Sequence, residues 1–515
     1  MKYQLLFFTI LTTIEFVRSA KILGVFPYCS HSHFVLGFSI MKELSSRGHS
    51  VTFISCYPQK VPIENLRDIS VKDDISGPLQ ALHIRMNIST FSQMSYWTKL
   101  EAGLDFGMTT TEATLKSKYV QELINSREKF DLVVLEHFAN EALMILPHIF
   151  NSHLILVAPG PATFFTNYLM ANPAPSSYVP SFLSGFSSKM GIWQRICNAY
   201  YELAGNIFIS TRMLPEQNAL LKRVLPDTPD LGTLLYNASM MLVSSHSISD
   251  PIPLQQNIKD IGGYHLSAPR PLPMEIKKFM DNATEGVIVF SLGSHIKSDR
   301  WFSAERLRAI LNVFSKIKQK VIWKFESDLE EKPENVMLLK WLPQQDVLGH
   351  QNTVAFITHG GLLGITEAIY HGVPILGLPI VWDQHKNAEE AVHTGMGLKI
   401  DFLDLNDKNF DNALNELLNN PKYREHARVR SKIMRDQPMK RLDEAIFWIE
   451  YVIRHHGAPH MRSSAIDLSW YQLYLIDILF LLILLSSLIV LIVYTFIRRM
   501  RIRTGEIVKN KTKVD

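Results

Sequence analysis

The segment 341–384 constrains the fold of this chain more than any other stretch. It holds two short apolar runs, 354–358 and 374–378, with the length and side chains of buried parallel strands. The residues between them, 362–370, predict a helix that Gly372 ends. Two strands joined by a helix form a βαβ unit, so the residues that follow each strand meet at one edge of a parallel sheet. Open α/β sheets bind their ligands at that edge.

Polar residues and glycines stand at these strand ends. His359, Gly360 and Gly361 follow the first strand, so the glycines are expected at the N-terminus of the helix. Free backbone N–H groups and the positive end of the helix dipole form an anion site there, which a diphosphate would fit. Asp383 and Gln384 follow the second strand. A Gly-Gly pair before a helix also serves close packing, so the pair alone does not decide between packing and phosphate binding.

The spacing of all these residues together resembles the signature of the family-1 UDP-glycosyltransferases, in their animal membrane-bound form and most of all in insect members. The resemblance extends to both chain ends. It implies an α/β protein of the GT-B architecture, with two Rossmann-like domains facing across a cleft and one C-terminal transmembrane helix. In that architecture the N-terminal domain binds the acceptor and the C-terminal domain binds the UDP-sugar.

The resemblance assigns donor-binding roles to matching residues of the second half. Trp341 is expected to flank the uracil, Gln344 to hydrogen-bond the nucleoside, and Glu367 to accept bonds from the ribose hydroxyls. Asp383 and Gln384 are expected to hold the sugar hydroxyls. Taken singly, Trp341 also fits a core aromatic, Glu367 a solvated helix charge and Asp383 a loop residue. The residues expected around the diphosphate are Ser291, Gly293, Ser294, His359, Gly360, Gly361 and Gly364.

The candidate base lies in the first half. A strand at 21–26 and a helix at 34–47 are predicted, and His33 falls between them, at the carboxyl edge. The helix dipole disfavours imidazolium there, and a general base needs the neutral ring. His31 is the competing candidate, but the triplet Ser32-His33-Phe34 matches the one that holds the catalytic histidine of the family.

An acidic residue is expected beside this histidine. Glu136 ends the predicted strand 130–135 and therefore reaches the same edge. Its carboxylate is expected to accept the other ring N–H of His33, which would fix the tautomer and stabilise the cation. The family often has Asp here, and a surface acid is the alternative interpretation.

Aromatic and methionine side chains between these elements are candidates for the acceptor pocket, although helical core packing explains many of them equally well. Three positions depart from the family pattern, namely Ile252 where Arg is common, Leu363 where Asn is common, and Trp382 where a small residue is common. We therefore expect unusual donor affinity or sugar choice. The pocket candidates are Phe91, Met94, Trp97, Phe164, Phe165 and Tyr168.

Composition and length are consistent with two globular domains. A chain of 515 residues exceeds what one hydrophobic core usually supports. The formal net charge of +4 has its visible excess in the tail 498–515, so no nucleic-acid partner is expected. The three cysteines, Cys29, Cys56 and Cys197, are too few for a disulfide framework, and their pairing is left open.

The sequences of both chain ends predict that the protein enters the secretory pathway and is anchored in a membrane. An apolar run followed by small residues predicts a signal peptide over 1–19. The largely uncharged span 473–497 is long enough to cross a bilayer, and arginines follow it, so the tail is expected in the cytosol. Three Asn-x-Ser/Thr sequons, at Asn87, Asn237 and Asn282, then lie on the lumenal side. Lys511 and Lys513 match a dilysine retrieval signal, which implies the endoplasmic reticulum, with a solvated basic tail as the alternative.

These observations divide the chain into seven segments. The segments are 1–19 (signal peptide), 20–248 (N-terminal acceptor-binding Rossmann-like domain), 249–285 (interdomain linker), 286–444 (C-terminal UDP-sugar-binding Rossmann-like domain), 445–472 (return segment and juxtamembrane), 473–497 (transmembrane helix) and 498–515 (cytosolic basic tail).

The expected reaction is an inverting transfer of a hexose from a UDP-sugar to a hydroxyl of a small lipophilic acceptor. UDP-glucose is the expected donor and UDP-glucuronate the alternative. No Asp-x-Asp motif occurs, so no metal is expected, and no cofactor beyond the UDP-sugar co-substrate. The chain is expected to be a single-pass, type I membrane protein, and a homo-oligomer is left open. The rival function is a catalytically weak, membrane-tethered binding protein for lipophilic molecules on the same fold.

Overall fold

The computed structural model describes residues 19–85, 91, 93–245, 252–294, 298–329 and 331–511. The chain divides after Arg462 into a large compact unit and a smaller C-terminal unit. The large unit contains two separate, fully parallel sheets.

The first sheet has seven strands in the order β3-β2-β1-β4-β5-β6-β7. Neighbouring residues of β1 belong to different hydrophobic clusters, since Leu23 packs on one face of the sheet and Ile22 on the other. Helices therefore cover both faces. The predicted strand 21–26 is confirmed. The strands are β1 (Lys21–Phe26), β2 (Ser50–Ser55), β3 (Leu66–Ser70), β4 (Leu132–Glu136), β5 (His153–Ala158), β6 (Ala238–Val243) and β7 (Ile258–Asp260).

The second sheet has six strands in the order β10-β9-β8-β11-β12-β13. Its two faces are also both covered, since Ile288 and Val289 of β8 belong to different clusters. Such two-sided burial explains why these strands are nearly continuous apolar runs. The strands are β8 (Val287–Ser291), β9 (Lys320–Lys324), β10 (Val336–Leu339), β11 (Thr353–Thr358), β12 (Ile375–Gly377) and β13 (Gly397–Lys399).

Helices connect the strands of both sheets. Those of the first half are α1 (His31–Ser46), α2 (Lys72–Arg85), α3 (Tyr96–Lys116), α4 (Lys118–Asn125), α5 (Ile145–Phe150), α6 (Phe164–Met170), α7 (Ile192–Phe208) and α8 (Leu214–Val224). Those that follow are α9 (Met274–Asp281), α10 (Ser298–Trp301), α11 (Ala304–Phe314), α12 (Gln344–Leu348), α13 (Leu362–His371), α14 (Gln384–His393), α15 (Asp407–Asn419), α16 (Pro421–Arg435), α17 (Arg441–Arg454), α18 (Trp470–Leu473) and α19 (Ile476–Lys511).

Helix α1 begins three residues earlier than predicted. The sequence predicted a start at Phe34, but the helix begins at His31, so His33 is its third residue. The first turn is polar because its side chains face a cavity, and an apolar pattern therefore does not reveal it. His33 remains within the first turn, where the positive end of the helix dipole acts.

Helix α13 ends as predicted. Gly372 follows it with φ +68°, the left-handed conformation that glycine adopts at low cost, and its N–H is bonded to Ile369 O. The glycine therefore stops the helix before β12.

Helix α17 belongs spatially to the first half of the chain. Its buried face, formed by Ala445, Ile446, Ile449 and Val452, packs in the same cluster as strands of the first sheet. The chain thus returns to the first sheet after completing the second one.

Cys29 and Cys56 form a disulfide, with their Cα atoms 5.2 Å apart, and Cys197 is free and exposed. The bridge ties the segment between β1 and α1 to the residue that follows β2.

The C-terminal unit contains one helix long and apolar enough to cross a membrane. Within α19, the stretch Ile476–Arg503 contains an 18-residue segment with a mean hydropathy of 3.1. It begins three residues after the predicted start of the span. Residues 1–18 of the predicted signal peptide, the sequon at Asn87 and the residues from Thr512 onward lie outside the described residues.

Candidate active site

A cavity of about 950 Å³ lies between the two sheets of the large unit. Its lining comes from the carboxyl ends of strands in both halves and from the first turns of the helices that follow them. All of the predicted site residues except Glu136 and Gly360 line it, namely His33, Ser291, Gly293, Ser294, Trp341, Gln344, His359, Gly361, Gly364, Glu367, Asp383 and Gln384.

His33 and Glu136 form a close pair in the first half. The Nδ1 atom of His33 lies 2.6 Å from Glu136 Oε1. Glu136 is the last residue of β4 and is buried, while His33 is partly exposed and lines the cavity. With Nδ1 engaged as the donor, Nε2 carries the lone pair of the neutral ring. The arrangement can therefore accept a proton and stabilise the resulting imidazolium.

Aromatic rings fix the orientation of this imidazole. The Tyr28 ring centroid is 4.4 Å from that of His33, and the Phe138 centroid is 5.1 Å away on an edge contact. Burial, and then the Glu136 charge, raise the pKa of the Tyr28 hydroxyl, so it stays protonated. Phe138 also lines the cavity and was missed from the sequence, because it follows Glu136 in a stretch without a motif.

The predicted diphosphate residues gather around the N-terminus of α13. Gly361 is the N-cap residue, and the free N–H groups of the first turn therefore face the cavity side. The His359 ring lies between Gly361 and Gly293: a Cβ on either glycine would come within 2.7 Å of a ring atom. Ser291 ends β8, and its hydroxyl accepts a bond from Gly293 N. The two glycines make room for the imidazole.

We expect Gly293→Ala to weaken UDP binding about tenfold or more, the equivalent of one lost hydrogen bond to a charged group. Gly293 has φ +79°, which strains an L-residue, and its new Cβ would displace His359. Isothermal titration with UDP measures the effect.

Gly232→Ala is the matched control for that variant, because nothing lies within 4 Å of a Cβ at Gly232. Equal UDP affinity in Gly293→Ala and the wild type would show that the position of His359 does not matter for UDP.

The predicted sugar-binding residues are held by local bonds. Gln384 Oε1 accepts from the backbone N–H groups of Ile380 and Val381, at 2.9 and 3.0 Å. Asp383 Oδ2 accepts from Asn387 Nδ2 at 2.6 Å. Burial raises the pKa of the Asp383 carboxyl, although the Asn387 bond and nearby cations act against the rise. Because the Oε1 atom of Gln384 accepts the two backbone bonds, the carboxamide NH₂ of Gln384 remains as a donor group for a ligand.

Glu367 lies one turn inside α13 and is buried. Gln344 Nε2 donates to its Oε2 at 2.6 Å, so Gln344 orients the carboxylate in this structure. Burial raises the pKa of Glu367 to about 7, despite the lowering effect of hydrogen bonds from Gln344 and Gln345. The other oxygen, Oε1, lies 4.0 Å from His265 Nε2.

Two tryptophans of the second half, Trp341 and Trp382, contact aromatic rings of the first half. The His31 ring meets the Trp341 ring edge-on, with centroids 4.9 Å apart, and 57% of Trp341 is exposed. Trp382 lines the cavity, but its ring packs against Phe91 and Phe106 of the first half. These contacts join residues distant in the sequence, which local patterns do not reveal.

The acceptor side of the cavity differs from the sequence prediction. Of the six predicted side chains only Phe165 lines it, together with Phe138, Phe182 and Leu183. Phe91 packs on Trp382, and Met94 packs against the hydrophobic core of the second sheet. Trp97 is 41% exposed and Phe164 is buried. The hydroxyl of Tyr168 donates to Glu141. Core packing, the alternative, accounts for most of these side chains. Within the described residues, no group of three or more His, Cys, Asp or Glu side chains is placed to hold a metal.

The two parallel sheets and the cleft between them define the GT-B fold. The structure resembles the calicheamicin glycosyltransferase CalG4, with a TM-score of 0.55 and 17% identity, over 86% of this chain and 100% of that one. It also resembles the spinosyn forosaminyltransferase SpnP, with a TM-score of 0.55 and 16% identity, over 85% and 100%. At these identities the likeness shows the fold alone.

Sequence comparison then identifies the family. The profile of the family described as "UDP-glucoronosyl and UDP-glucosyl transferase" matches residues 20–514. UDP-glycosyltransferase UGT5 of Dactylopius coccus is 34% identical over 499 residues, covering 95% of this chain and 94% of that one. UDP-glucuronosyltransferase 2B15 of Homo sapiens is 32% identical over 495 residues, covering 90% and 91%. The chain belongs to this family of UDP-glycosyltransferases, which confirms the resemblance and the fold class expected from the sequence.

Proposed function

We propose that this UDP-glycosyltransferase transfers a hexose from a UDP-sugar to a hydroxyl of a small lipophilic acceptor, with inversion at the anomeric carbon. The observation that carries the proposal is the 2.6 Å pair of His33 and Glu136, because His33 lines the same cavity as the N-terminus of α13. A base from the first half and an anion site from the second half in one cavity suit a direct displacement.

His33 and Glu136 account for the proton that the proposed step releases. His33 Nε2 takes the proton of the acceptor hydroxyl, and the acceptor oxygen forms a bond to the anomeric carbon. The bond between that carbon and the β-phosphate oxygen breaks, and UDP leaves with the electron pair. Attack and departure on opposite faces invert the configuration. Glu136 stabilises the imidazolium, as a buried carboxylate does beside a histidine base.

Departure of UDP is favoured by preorganised donors. The N–H groups that begin α13 and the His359 ring lie where the diphosphate would collect charge. Such groups supply the electrophilic assistance without a metal in the proposed mechanism, and we propose no cofactor. Activity that is unchanged by EDTA would agree with this mechanism.

The donor sugar is proposed to be glucose, as the resemblance to insect members of the family implies. One observation favours UDP-glucuronate as a second candidate. Lys386 lies three residues after Asp383, is buried and lines the cavity. Sequence reasoning identified no cation for an acidic sugar, because nothing in the local pattern shows that Lys386 faces the cleft.

The acceptor is proposed to be lipophilic because aromatic and aliphatic side chains of the first half line the same cavity as the base. Phe138 contacts the His33 ring, and Phe165, Phe182 and Leu183 also line the cavity. An apolar wall with one polar reactive group suits a phenol or a lipophilic alcohol.

Microsomes that carry the protein, assayed with a panel of radiolabelled UDP-sugars and a phenolic acceptor, test the proposed function. We expect transfer from UDP-glucose, with EDTA without effect. Preference for UDP-glucuronate, abolished by Lys386→Met, would select the second donor. No transfer from any donor, together with retained binding of the lipophile, would favour the rival binding function.

We further propose that the protein is a single-pass glycoprotein of the endoplasmic reticulum membrane with its large unit in the lumen. The apolar stretch Ile476–Arg503 supports a membrane anchor, and the sequon asparagines Asn237 and Asn282 are exposed. The signal peptide and the retrieval signal rest on the sequence alone.

Protease treatment of sealed microsomes is expected to remove only the short tail, and Endo H is expected to increase the mobility of the protein. Both results follow if the large unit is lumenal and retained before the Golgi. Replacement of Lys511 and Lys513 by serine should yield Endo H-resistant protein. Digestion of the large unit in sealed vesicles would contradict the topology.

A further inference from the structure

His265 is a buried polar residue to which no motif assigned a role. It follows β7, in the connection between the two sheets, and only 8% of it is exposed. It lines the cavity beside Glu367. Its backbone carbonyl accepts a bond from Gln345, so its position is fixed by α12.

The His265 imidazole makes no hydrogen bond within the described part of the chain, since neither Nδ1 nor Nε2 has a partner there. A buried polar group left in this state destabilises the fold, and native proteins rarely retain one without a reason. Burial lowers the pKa of His265 to about 4, so the ring is neutral and offers one donor and one acceptor.

The distance to Glu367 indicates what the ring contacts. His265 Nε2 lies 4.0 Å from Glu367 Oε1, which is too far for a hydrogen bond. Two hydrogen bonds of about 2.8 Å that meet at one oxygen at about 90–110° span roughly 4.0–4.6 Å. The separation of the two atoms is therefore the one expected of two groups that share a single hydroxyl oxygen. Gln344 holds Glu367 Oε2, and Oε1 is the oxygen on the side of His265.

We propose that His265 and Glu367 together bind one ribose hydroxyl of the UDP-sugar, which donates to Glu367 Oε1 and accepts from His265 Nε2–H. The proposal rests on the proposed function, because it takes the nucleotide as the ligand of this part of the cavity. It makes His265 a determinant of nucleotide specificity, since a sugar without that hydroxyl leaves both groups unpaired.

A thermodynamic cycle tests this pairing on the full-length protein in detergent. Isothermal titration measures the affinities of UDP, 2′-deoxy-UDP and 3′-deoxy-UDP for the wild type and for His265→Phe, which keeps an aromatic ring. We expect His265→Phe to weaken UDP binding roughly three- to tenfold, the worth of one neutral hydrogen bond. One of the deoxynucleotides should bind the variant as well as it binds the wild type. His265→Gln, which restores an N–H donor, should recover part of the loss.

His371→Ala is the matched control. His371 is a half-buried histidine at the end of the same helix as Glu367, away from the cavity lining, and its pKa is likewise lowered to about 4 by burial. The His371→Ala variant should bind all three nucleotides with the affinities of the wild type.

Three outcomes would overturn the proposal. If His265→Phe weakens UDP and both deoxynucleotides by one common factor, His265 acts through the fold rather than through a hydroxyl. If it weakens none of them, the ring does not touch the nucleotide. If the wild type itself does not bind UDP, the proposed function fails, and the role of His265 fails with it.

Discussion

His33→Ala is expected to lower kcat by about 10²–10⁴, the usual contribution of a positioned general base. The Nδ1 bond to Glu136 leaves Nε2 toward the cavity, so alanine removes the proton acceptor without closing the site. Donor and acceptor binding should change little, and initial-rate kinetics separate the two effects. A nitrophenol acceptor, which needs the base less, should partly restore the rate. Undiminished kcat in His33→Ala would remove this histidine from the mechanism.

Two neighbouring variants serve as controls for that experiment. Glu136→Gln should reduce kcat less, because the amide oxygen still accepts from the ring but carries no charge for the imidazolium. His31→Ala should preserve kcat and raise the KM for the donor, because the His31 ring contacts Trp341. A kcat loss in His31→Ala as large as that in His33→Ala would make His31 the base.

Glu367→Gln is expected to weaken UDP binding about 10- to 150-fold at pH 8 while making the unliganded protein more stable there. The carboxylate is charged at pH 8, and hydrogen bonds to a charged group contribute about 1.5–3 kcal/mol. The same charge is buried, so the free protein is more stable without it. Titration calorimetry and melting temperature measure the two effects.

The stability change should depend on pH with a definite sign. The pKa of Glu367 is raised by burial to about 7 in the folded protein, from 4.5 in the unfolded chain. Its protonation therefore stabilises the fold below about pH 4.5, and that contribution is lost as the pH rises to 7, by at most about 3 kcal/mol. Glu367→Gln should thus gain stability over the wild type between pH 5 and pH 8. Glu389→Gln, whose carboxylate pairs with Lys399 outside the cavity, should show no such gain.

The sequence predicted the parts of the site that local patterns encode. Gly372 marks the end of α13 because glycine adopts the left-handed conformation at low cost, and the structure confirms that the helix ends there. The two apolar runs around this helix become β11 and β12 because both faces of their sheet are buried. Strand ends then bring His359 and Asp383 to one cavity, although the distance between them in sequence is 24 positions.

Features that depend on contacts between distant elements were not predictable. The start of α1 was misplaced because its polar first turn faces the cavity. The ring of Trp382 packs on Phe91 and Phe106, which depends on how the two halves meet. His265 carries no motif, and only the structure shows that it is buried 4.0 Å from Glu367.

The return of α17 to the first sheet determines where this chain can be cut and recombined. A fragment that ends before the second sheet would expose the strand and helix surfaces that Ile446, Ile449 and Val452 now cover. Exposed apolar surface of this kind promotes aggregation. A chimaera that exchanges acceptor-binding halves between two relatives should therefore carry two segments from the same parent, the first sheet with its helices and Arg441–Arg454. A single crossover in the linker would pair a sheet with a helix that evolved against a different surface.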